Sequence, residues 1–187
     1  REVTVLFSDI RDFTRLSESM PPREVLELLD GYFSHMARIV HAHEGLVNKF
    51  LGDGMLAIWG VPERNDDHAA LALRAALDMR RTLEELNAVR VRKSQPPLRI
   101  GIGVHSGLVA AGMLGGPDQH EYTVIGDAVN LASRIEGLTK QLQSDILVSE
   151  ACWQRVDGRF DGTRVSEELV KGREAPVVVY SLRGTRG

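Results

Sequence analysis

Asp9 and Asp53 each close an apolar run, and their placement suits work on a phosphate. Asp9 ends the alternating run Val3-Thr4-Val5-Leu6-Phe7-Ser8. Asp53 lies between Gly52 and Gly54, where Leu46 to Leu51 and Met55 to Trp59 fold back on each other as a β-hairpin. A central strand beside that hairpin brings both carboxylates to one rim of a sheet. Such a pair suits Mg²⁺ on a polyphosphate, because Mg²⁺ is usually held by one or two acids plus substrate oxygens and water. Each acid also has a purely local reading, Asp53 as a turn residue and Asp9 as the cap of the helix that follows.

Three further groups have types suited to a nucleotide. Ile10 to Ser17 reads as a short helix start whose free backbone N–H groups suit phosphate oxygens. Asn130 and Arg134 are four residues apart on one helical face, where an amide and a guanidinium together suit a ribose oxygen and a reacting phosphate. A solvated surface pair is the alternative. Lys171-Gly172-Arg173 makes a basic turn, solvated or in reach of a polyphosphate.

The elements that must position these residues follow from periodicity. Val25, Leu28, Leu29, Tyr32, Phe33, Met36, Ile39 and Val40 recur at helical spacing after Pro21-Pro22. A second long helix, capped by Asp66 or Asp67, turns Ala69, Leu73, Ala76, Leu77, Leu83 and Leu86 inward and Arg74, Arg80, Arg81 and Glu84 to solvent. Arg99 to His105 is a half-buried strand, with Gly107 turning the chain so that Leu108 to Leu114 returns. Its Gly101-x-Gly103 is no dinucleotide motif, since no helix follows within reach. His105 reads as a sheet residue, because nothing nearby in sequence orients it as a base. Tyr122 to Ile125 is a strand leading into a helix from Ala128 to about Lys140, and Ser149 caps a short helix through Arg155. The order is that of an α+β protein with a ferredoxin-like βαββαβ core and extra C-terminal strands and helices.

Composition narrows the field. The 187 residues form one domain by length, reading as a piece of a larger regulated protein because the chain opens at a strand on Arg1. A net charge of −3 offers no basic field for nucleic acid or a membrane surface. Cys152 is the only cysteine, so an internal disulfide or a cysteine metal cluster is excluded. No apolar run approaches the roughly 18 residues of a membrane span. His35, His41 and His43 lack the spacing of a zinc site.

Phe7-Ser8-Asp9-Ile10 with Phe13-Thr14, then Lys49-Phe50-Leu51-Gly52-Asp53, then Ile125-Gly126-Asp127-Ala128-Val129-Asn130-Leu131-Ala132-Ser133-Arg134, form an ordered set of motifs. Together they resemble the catalytic domain of class III nucleotidyl cyclases from about Val3 to Leu182. The resemblance implies that a ribose 3′-hydroxyl attacks the α-phosphate, pyrophosphate leaves and a 3′,5′-cyclic nucleotide forms. It implies two Mg²⁺ or Mn²⁺ on Asp9, Asp53 and the Ile10 carbonyl, phosphate contacts around Phe13 and Thr14, Arg134 at the α-phosphoryl group and Asn130 on the ribose. It further implies a homodimer in which Asp9 and Asp53 of one subunit face Lys49, Thr123, Asn130 and Arg134 of the other.

In that family two positions read the purine, and here they match Lys49 and Thr123. Lysine donates to adenine N1 and the threonine hydroxyl accepts from the N6 amino group, so ATP is the expected substrate. The Lys/Thr pairing resembles the subclass that includes bicarbonate-responsive cyclases, which raises bicarbonate as an effector. A cytoplasmic catalytic domain is implied, with any membrane tether elsewhere in the intact protein. Asp12 stands where many members have glycine. Leu108 replaces an arginine of some animal members, leaving a phosphate contact for Lys171 or Arg173 to supply. A guanylyl cyclase and a silent nucleotide-binding or dimerisation domain are the alternatives. A diguanylate cyclase is excluded, because its Gly-Gly-acid-acid-Phe hairpin is not Gly52-Asp53-Gly54-Met55.

Overall fold

A seven-stranded sheet forms the centre of the fold in the computed structural model, which describes residues 1–169 and 176–186. The elements run β1 (Glu2–Ile10), α1 (Phe13–Glu18), α2 (Pro22–Ala42), β2 (Leu46–Leu51), β3 (Gly54–Trp59), α3 (His68–Arg92), β4 (Ile100–Leu108), β5 (Ala110–Leu114), β6 (Glu121–Ile125), α4 (Asp127–Gln141), β7 (Ile146–Ser149), α5 (Glu150–Arg155), β8 (Phe160–Leu169) and β9 (Pro176–Thr185). The strand order is β2-β3-β1-β4-β7-β9-β8. Its first four strands, all antiparallel neighbours, are the expected ferredoxin-like core: β3 is inserted between β1 and β2, and β1 between β3 and β4.

Strand alternation sorts the two faces. Leu6, Ile10, Met55, Ala57 and Trp59 pack with Tyr32, Met36 and Val40 of α2 and Leu73, Ala76 and Met79 of α3. Val3, Val5, Leu56 and Ile58 meet Val124, Ala128 and Ala132 on the other side, beneath α4. Here the two glycines of β4 have their use. A Cβ on Gly103 would stand 2.3 Å from the Glu136 backbone nitrogen, and one on Gly101 2.4 Å from Thr139 Oγ1. Only glycines let α4 lie this close to the strand.

The return of Leu108 to Leu114 along β4 does not occur. β1 pairs with β4 over its whole length, Glu2 opposite Leu108, while β7 takes the other edge. With both edges occupied, β5 leaves the sheet and pairs with β6 as a separate hairpin. The arginine face of α3 is also less solvated than expected. Arg80 donates to the carbonyls of Leu182 and Arg183, and Arg74 stands 3.8 Å from Asp67. Asp67 precedes α3 but makes no side-chain capping bond, whereas Ser149 caps α5 as expected by accepting the Cys152 N–H at 3.2 Å.

Candidate active site

The two acids meet at one rim of the sheet. Asp9 is the penultimate residue of β1, and the Gly52-Asp53 turn places Asp53 beside it, since Gly54 opens β3 next to the Ser8–Met55 pair. Gly52 adopts φ 62°, the left-handed conformation that glycine takes readily. Asp53 Oδ2 accepts the backbone N–H of Ile10 at 3.0 Å. The purely local reading of Asp9 fails, because the residue at the N-cap of α1 is Asp12.

A third carboxyl, that of Glu136 on α4, lies against this pair. Burial, a hydrogen bond with Asp9 and the charge of Asp9 push its pKa up to about 9, with Arg11 opposing. The sequence reading missed Glu136. Its signal was the row Ala128, Ala132, Glu136 at four-residue spacing, which faces β4 only because Gly101 and Gly103 admit the helix there.

The turn between the acids and α1 is tightly formed. Asp12 adopts φ 56° and ψ 30°, the left-handed region in which glycine is least strained. Phe13 then packs partly against the core and Thr14 is exposed, opening α1 immediately beyond the rim.

Lys49 and Thr123 are brought together from distant parts of the chain. The Asn48 side-chain amide donates to the Tyr122 carbonyl at 2.9 Å, joining β2 to β6. Lys49 Nζ lies 3.8 Å from the Glu121 carboxylate, both partly solvated, and Thr123 follows two residues later on the same strand.

Asn130 and Arg134 occupy successive turns of α4, Asn130 exposed and Arg134 half-buried. Two residues of helix rotate a side chain by about 200°. Since Glu136 reaches Asp9, Asn130 and Arg134 sit on the face turned away from the acids of their own chain. Lys171 and Arg173 lie outside the described residues.

The acids fit a hard divalent cation. Two carboxylates with a neighbouring Ile10 carbonyl are an all-oxygen set of the kind Mg²⁺ and Mn²⁺ favour. Among the described residues no group of three or more His, Cys, Asp or Glu side chains is arranged to hold a metal by itself. Mg²⁺ sites that rely on substrate phosphates do not need one. No helix of the described residues is long and apolar enough to cross a membrane.

The family described as "Adenylate and Guanylate cyclase catalytic domain" matches residues 1–184. Adenylate cyclase 1 of Rhizobium meliloti is 36% identical over 184 residues, covering 98% of this chain and 28% of that protein. The chain therefore spans under a third of that relative's length. The crystal structure of the guanylyl cyclase Cya2 superposes with a TM-score of 0.93 at 33% identity, covering 100% of this chain and 93% of that one. The adenylyl cyclase CyaB from P. aeruginosa gives 0.89 at 31% identity, covering 99% and 95%.

Proposed function

The chain belongs to the adenylate and guanylate cyclase catalytic domain family, and from that premise we propose that it converts ATP to 3′,5′-cyclic AMP and pyrophosphate at sites shared between two copies. What carries this is the division of the site residues. Asp9 and Asp53 share one rim, whereas Asn130 and Arg134 sit on the face of α4 turned away from it. A second copy supplies to each rim the residues that its own chain directs elsewhere. Exposed Phe50, Leu51, Met113, Leu114 and Ile125 lie on the strands that carry Lys49 and Thr123 or beside them, giving apolar surface for such a partner.

In this reading Asp9, Asp53 and the Ile10 carbonyl hold two Mg²⁺ or Mn²⁺. When bound, these ions supply a lowered pKa for the 3′-hydroxyl and neutralisation of the pyrophosphate. Asp53 is held for that role by the Ile10 N–H. Backbone groups at Phe13 and Thr14 face the β- and γ-phosphates, and Asn130 orients the ribose. As the 3′-oxygen bonds to the α-phosphorus, its proton passes to solvent water and the bond to the leaving pyrophosphate oxygen breaks. Arg134 stabilises the charge that develops there, a contribution of roughly 3 to 4 kcal/mol for one donor in comparable sites.

Base choice rests on hydrogen-bond chemistry. Lys49 offers only donors, which suits adenine N1 and leaves guanine's N1–H and N2 amino group without an acceptor. The Thr123 hydroxyl accepts from adenine N6. A GTP reading has one observation in its favour, the similarity to the guanylyl cyclase Cya2. Bicarbonate gains no support from the structure or the relatives.

The test is product formation by the purified chain with ATP or GTP, with Mg²⁺ or Mn²⁺. Cyclic AMP is expected in excess, and Lys49→Glu with Thr123→Cys should shift preference toward GTP. Cyclic GMP as the main product of the unaltered chain would overturn the base assignment.

A further inference from the structure

Reading one base with two side chains needs Lys49 and Thr123 at a set separation, yet the two belong to different sheets. Lys49 is on β2 of the seven-stranded sheet, whereas Thr123 is on β6, which pairs with β5 in the separate hairpin. Apolar packing holds that hairpin down: Val124 is buried in one cluster with Leu56 and Ile58 of β3, and Tyr122 packs partly against it. Packing of this kind is non-directional, so it does not fix how one strand sits along the other.

Asn48 supplies a directional contact. In the β2–β3 ladder Val47 pairs with Ala57 and Lys49 with Leu56, so Asn48 is the extra residue of a β-bulge. A bulge leaves that residue out of the ladder and re-aims the side chains around it. Here the Asn48 amide donates to the Tyr122 carbonyl at 2.9 Å in a partly buried bond. Each end of the bond adjoins a base-reading residue, since Asn48 precedes Lys49 and Tyr122 precedes Thr123. Strand alternation puts Glu121 and Thr123 on one face of β6. Lys49 Nζ stands 3.8 Å from the Glu121 carboxylate, which brings the ammonium to that same face.

We propose that Asn48 is a positioning residue for base selection, an assignment that rests on Lys49 and Thr123 being the residues that contact the base. The bulge and the amide–carbonyl bond hold β2 against β6, so that the Lys49 donor and the Thr123 acceptor meet N1 and N6 of one adenine together. Asn48 acts only through these two strands. Without its bond both contacting side chains remain, but they are no longer pre-organised for one planar ring, and affinity and selectivity fall together.

The test compares Asn48→Leu, which keeps similar bulk without the amide, and Asn48→Ser, whose side chain is too short for the bond, with Asn48→Gln, which keeps an amide. Binding of 3′-deoxy-ATP and 3′-deoxy-GTP, which lack the attacking hydroxyl, is measured by calorimetry with Mg²⁺ on the full chain, beside kcat and KM for ATP. Both Asn48→Leu and Asn48→Ser should weaken 3′-deoxy-ATP binding and raise the KM for ATP by about five- to tenfold, the scale of one lost hydrogen bond. Their preference for the adenine over the guanine analogue should narrow, while kcat stays within about twofold because the reacting groups are untouched. Asn48→Gln should recover part of the preference. An unchanged preference in Asn48→Leu and Asn48→Ser, or a fall in kcat with the preference intact, would overturn the role of Asn48. Lys49→Glu with Thr123→Cys separates this from the base reading itself. If that pair of substitutions shifts the preference and the Asn48 variants do not, only the positioning role fails; if it leaves the preference unchanged, the base reading fails and the positioning role with it.

Discussion

The backbone N–H of Ile10 donates to the Asp53 carboxylate at 3.0 Å, so the end of β1 and the tip of the β2–β3 hairpin are locked together at the rim. Asp53→Asn keeps an oxygen for that N–H and removes only the charge. Thermal stability should change little, while cyclic AMP formation falls by about 100-fold or more, as expected for loss of a group that acts on developing charge. Parallel melting curves and product assays check this. Near-normal activity at ordinary metal concentration would remove Asp53 from the site.

The two faces of α4 respond oppositely to an added methyl. Gly103→Ala drives a Cβ to 2.3 Å from the Glu136 nitrogen, whereas a Cβ on Gly137 meets nothing within 4 Å. Gly103→Ala should cost at least about 1 to 3 kcal/mol through overpacking, and Gly137→Ala should gain up to about 1 kcal/mol from helix propensity. Denaturant unfolding separates the two.

At Asp12 the left-handed backbone is strained for any side chain. Asp12→Gly removes that strain and loses only an exposed contact with Lys140. The melting temperature should rise by about 1 to 3 °C, for a gain under about 1 kcal/mol. A fall would mean that the Asp12 side chain contributes more than its conformation costs.

His68 makes the fold sensitive to acid. Its Nδ1 lies 2.6 Å from Thr4 Oγ1, which also contacts Ser106 Oγ at 2.7 Å. Burial holds its pKa below the usual histidine value, with Asp66 and Asp67 opposing. A base with a depressed folded-state pKa binds protons more readily when unfolded. Its contribution is therefore present above about pH 6.5 and declines as pH falls below that value. His68→Gln should flatten the pH dependence of stability between about pH 5 and pH 7. An unchanged slope would assign that dependence to other groups.

The acid pair was legible because strand alternation and Gly-Asp-Gly turn chemistry are local signals that tertiary packing did not overrule. The ferredoxin-like core followed from element order for the same reason. The fate of Leu108 to Leu114 was not legible, since a strand's partner depends on which edges are already occupied, and both edges of β4 are. Glu136 was hidden for a related reason. Helical period puts it in a row with Ala132, yet which row faces the sheet is decided by Gly101 and Gly103 some thirty residues earlier. Arg80 looked solvated because its acceptors, the Leu182 and Arg183 carbonyls, lie on a strand about a hundred residues away.

Mixing two inactive variants tests the shared site most directly. Asp53→Ala removes an acid from one half-site and Arg134→Ala a guanidinium from the other, so each alone should make almost no cyclic AMP. If sites are shared between copies, an equal mixture puts both lesions into the same one of the two sites in mixed dimers. Half the dimers are mixed and half their sites intact, so about a quarter of normal activity should return. No recovery, with mixed dimers demonstrated by differently tagged chains, would mean that each chain completes its own site.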